Sequence, residues 1–209
     1  MNKNNTKRPV KVIGICGSMR EGSYTRAALK LALKGAQEGG AEAKLLELRD
    51  YQLVFFGAME EDEYPADVFR LRNEVREAHG IILGTPEYHG SLSGVLKNAL
   101  DLMSFDELEG KMIGLVGVSG GNLGAINALN SLRNIGRSLH AWVLPQQVSI
   151  PEAEKQFDEN GNPRDSDLRH RLLEIGRLIT QFATFHEIQK DQEFIKLWEE
   201  LPVNPGGRK

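Results

Sequence analysis

The chain has 209 residues, of which 40% are hydrophobic and 26% are charged, and its formal net charge is −3. These values are ordinary for a globular protein with one sizeable core, and the lack of a basic excess argues against nucleic acid as a partner. A single cysteine excludes an internal disulfide and fits a reducing compartment. Residues 1–8 do not resemble a signal peptide and no apolar stretch is long enough to span a membrane, so we expect a cytoplasmic protein without membrane contact.

Apolar segments and helical patterns alternate five times along the chain. Three of the apolar segments are continuous rather than alternating, which is typical of strands buried on both faces of a parallel sheet. The alternation predicts an α/β domain with a doubly wound parallel sheet and helices on both faces. Strands are expected at residues 10–16, 43–48, 80–84, 112–118 and 141–144, and the last of them ends at Pro145. Helices are expected at residues 25–38, 66–79, 95–103, 123–139 and 167–185. Two long loops are expected at residues 51–65 and 146–164.

The turn after the first predicted strand carries groups that bind phosphate. Ser18, Arg20 and Ser23 lie between this strand and the first helix, where hydroxyls, a guanidinium and the N–H groups of a helix start suit a dianion. The turn lacks the lysine of a P-loop and the spacing of a dinucleotide fingerprint. Alternatively, Ser18 or Thr25 only caps the helix. The set as a whole favours phosphate binding.

Two further loops follow predicted strands at the sheet edge where parallel sheets bind ligands. Residues 85–93 place a proline, a glutamate, a tyrosine and a histidine there, and residues 119–124 contain three glycines. Together with the first turn they predict a pocket for a phosphorylated, flat, polar-edged ring. The alternatives are an aromatic side chain packed on the core and glycines that only permit a tight turn. The surroundings of Ser119 do not match a hydrolase nucleophile elbow, and the histidines lack metal-ligand spacing.

These segments resemble motifs of a known family. Residues 17–26 resemble the G-S-x-R-x-x-S-x-N loop of the NADPH-dependent FMN reductase family, and residues 85–101 resemble its T-P-E-Y-N-x-S-x-x-G-x-L-K-N-A-x-D signature. Residues 119–133 and 157–162 resemble later segments, so the likeness covers roughly residues 11–185. It implies a flavodoxin-like fold, with a five-stranded sheet of order 2-1-3-4-5, and FMN bound non-covalently. Thr25 and His89 each replace an asparagine of the family pattern.

The resemblance also implies roles for individual residues. No catalytic residue or metal ligand is nominated, because the cofactor carries the chemistry and the protein positions it. Ser18, Arg20, Ser23 and Thr25 would contact the FMN phosphate, Pro86, Glu87, Tyr88, His89 and Gly90 would line the flavin ring, and Ser119, Gly120 and Gly121 would meet its pyrimidine edge.

The implied function is an FMN-dependent NAD(P)H oxidoreductase. Hydride would pass from NADPH or NADH through FMN to a small-molecule acceptor such as a quinone, an azo compound, a flavin or a metal oxyanion. The alternatives are a flavodoxin-like electron carrier without its own NAD(P)H turnover and a flavin- or nucleotide-binding regulatory module.

The expected organisation is a disordered arm at residues 1–8, a flavodoxin-like FMN-binding domain at 9–189 and a C-terminal extension at 190–209. The resemblance further implies a homodimer or homotetramer, with residues 51–56 as a candidate contact. The alternative for that segment is that Phe55 and Phe56 only cover the core.

Overall fold

The computed structural model of the protein describes residues 9–189. The expected N-terminal arm at 1–8 and C-terminal extension at 190–209 lie outside the described residues. The strands are β1 (Lys11–Cys16), β2 (Glu42–Glu47), β3 (Gly80–Tyr88), β4 (Ser91–Leu92), β5 (Met112–Val118) and β6 (Trp142–Ile150). The helices are α1 (Tyr24–Glu38), α2 (Ala66–Arg76), α3 (Gly94–Asp101), α4 (Phe105–Leu108), α5 (Ile126–Ser138), α6 (Ala153–Gln156) and α7 (Ser166–Gln189).

The central sheet is parallel and has the strand order β2-β1-β3-β5-β6. The two-residue β4 pairs only with the end of β3, in the antiparallel direction. Counted without β4, the order is 2-1-3-4-5, so the predicted doubly wound, flavodoxin-like fold class is confirmed, with β4 as an additional sixth strand. The order reverses between β1 and β3, and the crevice beyond their carboxyl ends is where such sheets bind ligands.

Helices cover both faces of the sheet because its strands are apolar on both sides. Val12 of β1 joins a core cluster with α1 and α7, whereas the adjacent Ile13 joins a second cluster with α2, α3 and α5. The alternation of neighbouring strand residues between faces places one core on each side of the sheet. Both clusters are built mainly from leucine, isoleucine, valine and alanine.

Two glycines allow α1 and α7 to touch along their backbones. A Cβ atom at Gly35 would lie 1.9 Å from the carbonyl oxygen of Leu173, and one at Gly176 would lie 1.8 Å from that of Ala32. No real side chain fits at such distances, so the approach of the two helices depends on these glycines. Among residues 9–189, no helix, α7 included, has the length and apolar character needed to cross a bilayer.

Two predicted strand ends are wrong. The strand predicted to stop at Pro145 continues to Ile150, because Pro145 falls where the pairing of β6 with β5 changes register. An edge strand tolerates a proline at such an irregularity, where its missing N–H breaks no ladder bond. The predicted loop at 146–164 is therefore strand up to Ile150 and also contains α6. In the same way β3 runs past Gly84 to Tyr88.

Candidate functional site

A cavity of about 320 Å³ opens at the carboxyl end of the sheet, beside β1, β3 and β5. Three loops meet there, as the sequence predicts. Of the predicted site residues, the structure brings together around this cavity Ser18, Arg20, Ser23, Thr25, Pro86, Glu87, Tyr88, Ser119 and Gly120. His89, Gly90 and Gly121 lie outside its lining.

The first loop runs from β1 into α1 and is built around two serines. Ser23 is the N-cap of α1, and its Oγ accepts a hydrogen bond from the N–H of Arg26 at 3.1 Å. The capping role that the sequence offered to Ser18 or Thr25 therefore belongs to Ser23. Ser18 Oγ accepts from the N–H of Arg20 at 3.4 Å. Ser18 and Thr25 are only 3% and 2% exposed, and both line the cavity near the start of α1.

Arg20 and Tyr88 stand together at the rim of the cavity. The guanidinium carbon of Arg20 lies 5.9 Å from the centroid of the Tyr88 ring, within the range of a cation–π contact. Both residues are exposed, and both line the cavity. A guanidinium beside an aromatic ring can bind a ligand that has an anionic group at one end and a flat ring at the other.

The second loop is a β-hairpin rather than an irregular loop. Tyr88 and Ser91 are paired, and between them His89 and Gly90 have φ values of 52° and 77°. Two consecutive residues with positive φ are the mark of a type I′ turn, which favours asparagine followed by glycine. His89 therefore occupies a position that backbone geometry constrains, at the tip of the hairpin.

A hydroxyl network ties the hairpin to the first loop. Ser93 Oγ donates to the carbonyl oxygen of Gly17 at 2.6 Å, and the N–H of Ser93 donates to Thr85 Oγ1 at 3.0 Å. The N–H of Gly17 in turn donates to the carbonyl of Gly84 at 2.8 Å. A Cβ at Gly17 would lie 2.9 Å from Ser93 Oγ, so the two segments touch without a side chain between them. Sequence reasoning gave no role to Thr85 or Ser93.

The side chain of Glu87 caps a helix. Its Oε2 accepts from the N–H of Ala128 at 2.9 Å, in the first turn of α5. The residue before that helix, Ala125, has no capping side chain, and a carboxylate at a helix N-terminus is favoured by the helix dipole. Glu87 thus lines the cavity while its carboxylate fixes α5 against the hairpin.

The third loop is fixed by the chain that follows β6. The N–H of Ala153 donates to the carbonyl of Ser119, and the N–H of Glu152 donates to that of Gly121, both at 3.0 Å. The N–H of Gly121 donates to Ser119 Oγ, also at 3.0 Å. The N–H of Gly121, which was predicted to contact the pyrimidine edge of the flavin, is therefore already used within the loop. Of these two glycines, only Gly120 lines the cavity.

The segment after β6 also lines the cavity, and sequence reasoning did not predict this. Glu152, Glu154 and Lys155 line it, and Lys155 Nζ pairs with the Glu152 carboxylate. Phe157, which follows, stacks on Tyr24 of α1 with ring centroids 5.4 Å apart. The sequence pointed to this region only through the turn at residues 157–162. The extension of β6 to Ile150, which brings residues 152–155 to the cavity, was not predicted.

Behind the first loop lies a largely buried ion pair. Arg26 donates through Nε to the Glu47 carboxylate, and burial raises the pKa of the neighbouring Cys16 thiol. A buried thiol with a raised pKa is a poor nucleophile, so Cys16 is a core residue. Among the described residues, no group of three or more histidine, cysteine or acidic side chains is placed to hold a metal ion.

Known proteins resemble this chain in sequence and fold. Residues 10–155 match the family model described as NADPH-dependent FMN reductase. An FMN-dependent NADPH-azoreductase of Staphylococcus saprophyticus subsp. saprophyticus is 37% identical over 156 residues, covering 72% of this chain and 82% of the relative. Its counterpart in Staphylococcus aureus (strain USA300) is 34% identical over 172 residues, covering 78% and 91%. A flavoenzyme NAD(P)H:(acceptor) oxidoreductase from Paracoccus denitrificans has a TM-score of 0.71 at 22% identity, covering 85% and 98%, and so shares the fold.

Proposed function

The chain belongs to the NADPH-dependent FMN reductase family, and from this premise we propose that the cavity at the carboxyl end of the sheet is its FMN site. The protein is an FMN-dependent NAD(P)H oxidoreductase, with FMN and NADPH as its cofactors. The observation that carries the site proposal is the meeting of the three loops around one cavity at the β1–β3 reversal.

The donor chemistry of the cavity fits FMN. At one end it offers the hydroxyls of Ser18, Ser23 and Thr25, the guanidinium of Arg20 and the N-terminus of α1, which suit a phosphate. Its volume of about 320 Å³ is within the range of small-molecule sites. We assign the phosphate to this end.

The other end of the cavity suits a flat ring. Pro86, Glu87 and Tyr88 form one wall, and Ser119 and Gly120 form another. The resemblance also implied three residues that do not line the cavity. His89 and Gly90 form the hairpin turn, and the N–H of Gly121 donates to Ser119 Oγ, so these residues shape the loops that carry the two walls.

When bound, FMN supplies the redox chemistry, accepting a hydride from NAD(P)H and passing it to an acceptor. The residues around the cavity would hold the phosphate of FMN and orient its ring. The acceptor is a small molecule. Because the matched relatives are named azoreductases, an azo compound is our first candidate, with a quinone, a flavin or a metal oxyanion as the others.

The test is anaerobic reduction of the FMN-loaded protein. Addition of NADPH is expected to bleach the flavin absorbance, and subsequent addition of an acceptor is expected to restore it. A panel containing an azo dye, a quinone, free flavin and a metal oxyanion, run with NADPH and NADH, ranks the acceptors and the reductants. Failure to bind FMN or to bleach contradicts the proposal. Reduction only by a partner reductase would instead indicate an electron carrier, which the family relationship does not favour.

We also propose that the protein is a cytoplasmic homodimer or homotetramer. Phe55 and Phe56 are 77% and 64% exposed, so they do not cover the core. Their loop is nonetheless fixed, because Asn98 accepts from the N–H of Phe56 at 3.2 Å and donates to the carbonyl of Val54 at 2.9 Å. Exposed aromatic residues on a fixed loop are suited to a subunit contact. Light scattering after size exclusion tests this, and a monomer mass contradicts it.

A further inference from the structure

We propose that Arg26, held by Glu47, is a positioning residue that shapes the first loop for phosphate binding without contacting the phosphate. This inference rests on the proposed FMN site. Arg26 lies behind the loop, in the first turn of α1, and is not part of the cavity lining. Arg26 is not among the predicted phosphate ligands, and it lies one position after Thr25, where the nine-letter family pattern ends.

Arg26 contacts the loop at three points. Its N–H donates to Ser23 Oγ, its Nη2 donates to the carbonyl of Arg20 at 3.2 Å, and its Nη1 donates to the carbonyl of Glu21. The planar guanidinium has donors in a fixed fork, so one side chain can hold two successive carbonyl groups in a defined orientation. Arg26 therefore determines how the two peptide groups after Arg20 and Glu21 are turned.

The orientation of these carbonyls fixes the opposite ends of the same peptide groups. In a trans peptide the C=O and the following N–H point in opposite directions. Since the carbonyls of Arg20 and Glu21 point back at Arg26, the N–H groups of Glu21 and Gly22 point away from it. Gly22 lines the cavity, and neither N–H donates to a backbone acceptor within residues 9–189. Successive N–H groups turned toward one side form a concave anion site.

Glu47 keeps the guanidinium in place. Its carboxylate accepts from Nε of Arg26, and the two side chains are 14% and 22% exposed. Glu47 is the last residue of β2, so the ion pair attaches the Arg26 side chain to the sheet rather than to the loop. A largely buried pair of this kind has a defined geometry, unlike an exposed ion pair.

Two explanations of an Arg26 effect make opposite predictions for Glu47. If Arg26 acted only through its positive charge, Glu47→Gln would remove an opposing negative charge and tighten FMN binding. If Arg26 acts by orienting peptide groups, the same substitution frees the guanidinium and weakens FMN binding. Likewise Arg26→Lys keeps the charge but cannot satisfy the carbonyls of Arg20 and Glu21 and the carboxylate at once.

The experiment measures the dissociation constants of FMN and riboflavin for the apoprotein by flavin fluorescence. Riboflavin lacks the phosphate, so it reports everything except the phosphate end of the site. We expect Arg26→Lys, Arg26→Gln and Glu47→Gln each to weaken FMN binding by about tenfold or more, with riboflavin binding changed by less than about twofold. The matched control is Arg177→Gln, which removes an ion pair with Glu38 at the far end of α1 and is expected to change neither constant.

Three results overturn the inference. One is tighter FMN binding by Glu47→Gln, another is unchanged FMN binding by Arg26→Lys, and the third is equal weakening of FMN and riboflavin, which indicates a merely structural role. Thermal unfolding of each apoprotein separates loss of folding from loss of affinity, and Arg26→Lys and Glu47→Gln remain informative if Arg26→Gln does not fold. Wild-type protein that fails to bind FMN refutes the proposed function itself, a result distinct from these three.

Discussion

Replacing Glu87 by alanine should destabilise the apoprotein, because the Glu87 carboxylate caps α5 from outside that helix. The bond to the N–H of Ala128 is 2.9 Å long, and no side chain caps the helix at Ala125. Loss of an N-cap typically costs about 1 kcal/mol, and loss of a favourable charge at the helix dipole adds roughly 0.5 kcal/mol. The expected destabilisation is about 1.5 kcal/mol, which lowers the Tm of a protein of this size by about 3–6 °C.

Thermal unfolding of the apoprotein, followed by circular dichroism, measures this effect without interference from bound FMN. Glu87→Gln keeps an acceptor oxygen but loses the charge, so its Tm is expected to fall by about half as much. Glu154→Gln is the matched control, since Glu154 also lines the cavity but is exposed, and its Tm should stay within about 1 °C of wild type. A wild-type Tm for Glu87→Ala would show that the carboxylate does not support α5.

Three further predictions concern stability. Gly176→Ala places a methyl group against the carbonyl of Ala32, and we expect a loss of roughly 2–3 kcal/mol, or about 4–12 °C in Tm. Hydrogen bonds from Asn162 lower the pKa of Asp158 in the folded protein. The ionised Asp158 carboxylate therefore stabilises the fold fully at neutral pH, and this stabilisation is lost as the pH falls below the ordinary pKa of 3.8. The Tm difference between wild type and Asp158→Ala should shrink from pH 7 to pH 3. His89→Asn supplies the residue that a type I′ turn prefers, and should raise Tm by about 1–2 °C.

Each of these has its own control. Gly94→Ala tests a glycine of α3 where an added Cβ meets nothing within 4 Å; a loss equal to that of Gly176→Ala would refute the helix-contact argument. If the Tm difference between wild type and Asp158→Ala is the same at pH 3 and pH 7, the ionised carboxylate of Asp158 does not stabilise the fold. A large change in FMN affinity in His89→Asn would show that His89 contacts the ligand and does not only form the turn.

The sequence predicted what depends on local pattern. Continuous apolar runs located β1 and β5, and Ser18, Arg20 and Ser23 were correctly placed at one cavity because carboxyl ends of parallel strands meet at one edge. β6 was cut short at Pro145 because the register shift that accommodates the proline depends on its partner strand. A pattern along one strand does not contain that information.

The contacts that organise the site were missed because they join residues distant in sequence. The Glu87–Ala128 cap spans 41 positions, and the Ser93–Gly17 bond spans 76. Arg26 was not among the predicted site residues, yet its guanidinium donates to the carbonyl groups of Arg20 and Glu21. Such roles depend on how the peptide groups of the loop are turned, which only the three-dimensional structure provides.

The central claim is that the loop after β1 holds the phosphate of FMN, and the double substitution Ser18→Ala with Arg20→Ala tests it most directly. Both side chains line the cavity, and loss of hydrogen bonds to a charged group predicts FMN affinity lower by about 100-fold or more. Fluorescence titration of the apoprotein measures this, with riboflavin affinity expected to stay near wild type. FMN affinity equal to that of wild type would contradict the assignment of the site.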